Sequence, residues 1–76
     1  MLTEELKFLT PRELEYCKMF VLCKGNPKDI ATRMLIKLTT ERLYRTRVLF
    51  KLDIPTKTEL MFELCKNISQ LANLTL

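Results

Sequence analysis

Three times along this 76-residue chain, a capping side chain precedes a helix-starting residue and an acid follows three positions later. That punctuation constrains the fold more than any other feature. In Thr10-Pro11-Arg12-Glu13, a hydroxyl stands at the N-cap, a proline fills the first helical position and a glutamate lies at N3, which together make a capping box. Asn26-Pro27-Lys28-Asp29 repeats the signal, and Thr56-Lys57-Thr58-Glu59 gives it again without the proline. The first helix, starting at Pro11, carries Leu14, Cys17, Phe20 and Val21 at helical spacing, with Tyr16 beside them, and stops near Cys23 before Lys24-Gly25-Asn26. The second is short, with Ile30, Ala31 and Met34. Thr39 or Thr40 is expected to cap a third, with Glu41 in its first turn and an end near Leu52, where Asp53-Ile54-Pro55 breaks the pattern. On the fourth, Leu60, Met61, Leu64, Cys65, Ile68, Leu71 and Ala72 form one apolar stripe over three turns. No alternating Val/Ile-rich segment suggests a strand, so the expected fold is all-α with four helices.

A single domain of this length buries only about 60% of the surface its unfolded chain exposes. A second copy is therefore expected to add buried area. The net charge of +4 is unevenly placed. From Lys37 to Lys51 there are five basic residues (Lys37, Arg42, Arg45, Arg47, Lys51) and one acid, Glu41, while the remaining eight basic and eight acidic residues cancel. A basic stripe on an otherwise neutral domain is the footprint expected of a phosphate-backbone binder; its plainer reading is a solvated helix face.

Other functions lack their residues. Cys17, Cys23 and Cys65 show no C-x-x-C spacing and there is no histidine, so neither a metal site nor a disulfide framework is expected, and the thiols read as small reduced hydrophobes. Without histidine, a glycine-rich phosphate loop or a nucleophile paired with a base, catalysis lacks its usual groups, and no cofactor or small-molecule ligand is expected. The acidic N-terminus, interrupted by Pro11, is unlike a secretory signal, and no apolar run approaches the ~20 residues of a membrane span. A cytoplasmic location is the expectation, and the sequons at Asn67 and Asn73 read as chance matches.

Leu9 to Glu15 (LTPRELE), Ile30-Ala31, Thr40 to Ile54 (TERLYRTRVLFKLDI) and Thr56 to Leu60 (TKTEL) resemble the LuxR/GerE/NarL-type helix-turn-helix domain of bacterial transcription regulators. The spacing from Thr40 to Lys51-Leu52, and on to Glu59-Leu60, fits that pattern better than region four of sigma factors, which needs two more residues before its Lys-Leu. The resemblance covers about residues 9 to 65. It implies an N-terminal arm over 1–8, a DNA-binding domain over 9–72 and a tail over 73–76, with a recognition helix at about 40–52 in the major groove. The implied base-reading residues are Arg42, Leu43, Thr46 and Arg47, and the implied phosphate contacts are Lys28, Lys37, Thr40, Arg45 and Lys51. A helical wheel puts Arg42, Leu43, Thr46, Arg47, Leu49 and Phe50 outward and Tyr44, Val48 and Leu52 toward the core. The fourth helix is implied to pair with a second copy through Leu60, Met61, Leu64, Cys65, Ile68 and Leu71, giving a homodimer bound to double-stranded DNA on the bacterial nucleoid. A free-standing protein like the small GerE-like members is the expected organisation.

The chain departs from the family pattern at several positions. Leu35 stands where a glycine usually separates the second and third helices, and Lys37 where a serine usually caps the third. A left-handed leucine costs roughly 1–2 kcal/mol, so a shifted backbone or a longer second helix is expected. Glu41 replaces an apolar residue on the buried side and must snorkel out or find a partner. One extra residue between Val21 and Ile30 moves Gly25 off the family's glycine position. Phe50, seven residues after Leu43, puts an aromatic ring where the family has a polar residue; it either folds onto the loop before the fourth helix, meets thymine methyls, or joins Leu43 in a protein-binding patch. The last option defines the alternative function, a relative that does not bind DNA and acts through a regulator or RNA polymerase.

Overall fold

The computed structural model describes residues 6–69, and among them lie four helices: α1 (Pro11–Leu22), α2 (Pro27–Met34), α3 (Leu38–Leu52) and α4 (Lys57–Lys66). The starts follow the caps. Thr10 Oγ1 accepts from the Glu13 amide at 3.1 Å while Glu13 Oε1 accepts from the Thr10 amide at 2.9 Å, closing the capping box. Asn26 Oδ1 accepts from the amides of Lys28 and Asp29, and Thr56 Oγ1 from that of Glu59. These bonds satisfy amides that a helix cannot satisfy internally.

The third start is earlier than Thr39 or Thr40. α3 begins at Leu38 with Lys37 at the N-cap, and no side chain bonds to its first amides. The reason lies in the turn before it. Leu35 adopts the left-handed conformation (φ 58°, ψ 46°), so neither a shifted backbone nor a longer α2 avoids the strain. Its amide and that of Ile36 bond back to Thr32 and Ala31, which closes α2 as a glycine would and points the chain directly into α3. Arg12 reinforces the junction by donating from Nη2 to the Met34 carbonyl at 3.0 Å. Between α1 and α2, Lys24 (φ 55°) and Gly25 (φ 76°) make the corresponding turn; a Cβ on Gly25 would come within 3.4 Å of the Phe20 ring.

α1 packs against each of the other helices and α2 against α3, while α4 rests on α1. Leu14, Tyr16, Cys17 and Phe20 of α1 meet Ile30 and Met34 of α2, Val48 and Leu52 of α3, and Leu60 and Leu64 of α4. Two assignments change here. Leu6, expected in an N-terminal arm, is fully buried in this core. Leu60 and Leu64, expected at a dimer interface, are also fully buried within the chain's own core, because α4 needs an apolar row to reach α1 at all. α4 ends at Lys66 with Asn67 as C-cap, and Leu71 and Ala72 of the expected stripe lie outside the described residues.

Candidate nucleic-acid interface

α3 is the central element of the candidate site, and burial sorts its residues cleanly. Val48 and Leu52 are buried and Tyr44 is half-buried, stacked on Tyr16 with ring centroids 6.0 Å apart. Leu49, expected outward, is half-buried against the core. Arg42, Leu43, Thr46, Arg47 and Phe50 are exposed along one face, with Lys37 exposed at its N-terminal end. Phe50 is 85% exposed and does not fold down onto the loop before α4, although it borders a shallow concavity with Leu49, Asp53, Ile54 and Pro55. Leu43, one heptad earlier, is 55% exposed.

The five cations of the basic segment divide into two groups. Lys37, Arg42 and Arg47 stand exposed without an acidic partner among the described residues. Arg45 and Lys51, expected at phosphates, are instead turned toward buried acids. Arg45 Nη1 lies 3.8 Å from Glu41 Oε2, and its side chain is only 18% exposed. Lys51 Nζ donates to Glu13 Oε1 at 2.7 Å. Lys28 is exposed in the first turn of α2, and Thr40 is half-buried inside α3. The only acid of α3 is Glu41, which is buried, so its outward face carries positive charge alone.

Two partners in this arrangement were missed by sequence reasoning. Glu41, 1% exposed, does not snorkel out; its Oε2 accepts a hydrogen bond from the Tyr16 hydroxyl at 2.7 Å. Burial and the Glu41 carboxylate push the Tyr16 hydroxyl well above its ordinary range, so it remains protonated and donates. The signal was present in part: Glu41 sits on the buried side of its helix, and Tyr16 was the polar residue beside the stripe of the first helix. Glu13 is likewise buried, at the other end of α3. Burial alone would raise its carboxyl pKa, but the hydrogen bond and charge of Lys51 and the bonds from Thr10 outweigh that and hold it below the ordinary 4.5.

On α4, Met61 is half-buried and Cys65 exposed, their sulfurs 3.8 Å apart, and Ile68, just past the helix, is exposed too. Phe62, which lay outside the expected stripe, is 61% exposed with Lys66 Nζ 5.0 Å from its ring centroid. Among the described residues no group of three or more Cys, Asp or Glu could hold a metal ion, and no helix is long and apolar enough to cross a membrane.

The chain is 34% identical over 58 residues to the oxygen regulatory protein NreC of Staphylococcus haemolyticus (strain JCSC1435). The match takes in 76% of this chain and 26% of that protein, so the chain spans about a quarter of the relative's length. No protein-family model matches the chain, and no solved structure matches it significantly. The similarity supports a LuxR-type helix-turn-helix domain at the level of the family, and the four-helix fold without strands among the described residues is compatible with one.

Proposed function

We propose that this chain is the LuxR/GerE-type helix-turn-helix domain of a bacterial transcription regulator and binds double-stranded DNA with α3 in the major groove. The observation that carries the proposal is the outward face of α3, where Lys37, Arg42 and Arg47 stand exposed with no acid among them. Arg42 and Arg47 have the reach and donor geometry to read guanine edges, and Leu43 and Thr46 lie between them to meet thymine methyls and base edges. Lys37, at the uncapped start of α3, Thr40 within it and Lys28 in the first turn of α2 are the proposed phosphate contacts. The similarity to an oxygen regulatory protein supports the regulatory role.

A homodimer is part of the proposal, carried by the outward side of α4. With Leu60 and Leu64 committed to the core, the contact falls to Met61 and Cys65, joined by Phe62 and by Ile68 just past the helix. Such a dimer reads an inverted repeat whose half-sites lie about 10 bp apart or a multiple of that. The test is fluorescence anisotropy with random and selected duplexes over a salt series. Affinity falls steeply with salt, and Arg42→Ala lowers base preference by about 1–3 kcal/mol. Affinity independent of salt refutes the proposal.

The exposure of Leu43 and Phe50 favours a second reading, in which this face docks on a regulator or RNA polymerase and does not bind DNA. Phe50→Asp separates the two. It abolishes partner recovery under the second reading, whereas under the first the loss appears in duplex binding.

A further inference from the structure

Glu41 lies in the first turn of the proposed reading helix, yet its carboxylate is withdrawn from solvent and packed toward α1. A buried carboxylate is tolerated only with good partners. Here Tyr16 supplies one at 2.7 Å and Arg45 the other at 3.8 Å, both at Oε2. Tyr16 is itself fully buried, and its ring packs against those of Phe20 and Tyr44, each with centroids 6.0 Å away. The acceptor is therefore anchored from α1, and Arg45, one turn further along α3, folds inward to meet it. Arg42 and Arg47, on the same helix, do not.

We infer that Glu41, anchored by Tyr16, is a positioning residue that withholds Arg45 from the DNA backbone. The inference rests on the DNA-binding proposal and deepens it. A phosphate recruiting Arg45 would have to draw the guanidinium out of a largely buried site and leave a carboxylate buried with one neutral donor. The pair thus removes one cation from the sequence-independent part of binding while leaving Arg42 and Arg47 to contact bases. Fewer neutralised phosphates mean weaker binding overall, so base contacts supply a larger share of the binding energy.

The test measures binding of the full chain to a random 24-bp duplex by anisotropy at several NaCl concentrations. It compares wild type, Glu41→Gln, Arg45→Gln and the double variant. Glutamine at 41 still accepts from the Tyr16 hydroxyl and has nearly the same volume, but it no longer holds a cation. Glu41→Gln is expected to steepen the dependence of log K on log salt by about 0.9 and to tighten random-duplex binding several-fold, as one further phosphate is neutralised. Arg45→Gln alone leaves the slope at the wild-type value, and in the double variant the gain disappears. A slope shallower by about 0.9 in Arg45→Gln alone overturns the inference, as does a Glu41→Gln slope equal to wild type. If Glu41→Gln fails to fold, the slope of Arg45→Gln decides. Wild-type binding that ignores salt removes the DNA-binding proposal itself, which distinguishes that failure from failure of the inference.

Discussion

Replacing Leu35 by glycine should stabilise the domain, against the usual direction for leucine substitutions. Leu35 is left-handed (φ 58°) and 91% exposed, so its side chain contributes strain without burial. A left-handed non-glycine residue costs roughly 1–2 kcal/mol. Glycine removes that cost but brings back about 0.5–1 kcal/mol of unfolded-chain entropy. The two backbone bonds of the turn, from Leu35 to Thr32 at 3.2 Å and from Ile36 to Ala31 at 2.9 Å, need only amides and survive the change. The net gain lies between about 0 and 1.5 kcal/mol, with a midpoint near 0.75 kcal/mol that for a domain of this size raises Tm by about 3–6 °C. Thermal unfolding followed by far-ultraviolet circular dichroism reads the shift directly. Leu35→Ala provides the control: alanine keeps the left-handed penalty and loses almost no buried surface, so its Tm should remain near wild type. A Leu35→Gly protein no more stable than wild type, or an alanine variant as stable as the glycine one, refutes the reasoning from backbone strain.

Other consequences follow from the buried polar pairs and the thiols. Tyr16→Phe strips Glu41 of its shortest hydrogen bond and should cost about 1–3 kcal/mol in urea unfolding; a change within 0.5 kcal/mol, on the scale of about 0.5 kcal/mol typical of surface substitutions, would show that the bond adds nothing. Because the folded state holds the Glu13 carboxyl below its ordinary 4.5, its contribution is present above that pH and is lost as pH falls through the depressed value. Acid should therefore destabilise wild type more than Lys51→Gln, and parallel stability–pH curves for the two proteins would exclude the Lys51 contribution. Burial pushes the Cys17 thiol up to about 12, whereas Cys65 is exposed. Native protein at neutral pH, diluted until monomeric, should incorporate iodoacetamide at Cys65 and spare Cys17 until unfolded, as read by peptide mass; early alkylation of Cys17 would contradict the packing.

What could be read from the sequence was local. The starts of α1, α2 and α4 were legible because a cap and the amides it satisfies lie within three residues, and Thr10, Asn26 and Thr56 make those bonds. The start of α3 was misjudged because its position is set by a left-handed leucine, a conformation that residue type argues against. Periodicity identified the apolar row of α4 but not its destination: Leu60 and Leu64 have the same spacing whether they meet α1 or a second copy. The outward face of α3 was legible because a helical wheel needs only the helix to be right. The fate of its charges was not, since Tyr16 and Glu41 are 25 residues apart and Glu13 and Lys51 are 38 apart, separations at which no local rule operates.

The Glu13 carboxylate has a bearing on how the molecule comes apart. One oxygen, Oε1, both closes the first turn of α1 and holds the last turn of α3 through Lys51. Ordinarily a helix terminus frays independently of what happens elsewhere, with an opening free energy near zero. Here the first turn of α1 cannot unwind without releasing the far end of α3, so terminal fraying is coupled to a tertiary rupture. The amides of Thr10 and Glu13 should accordingly exchange with solvent deuterium on the timescale of the core rather than of a chain end, making this junction part of the most slowly opening unit of the fold.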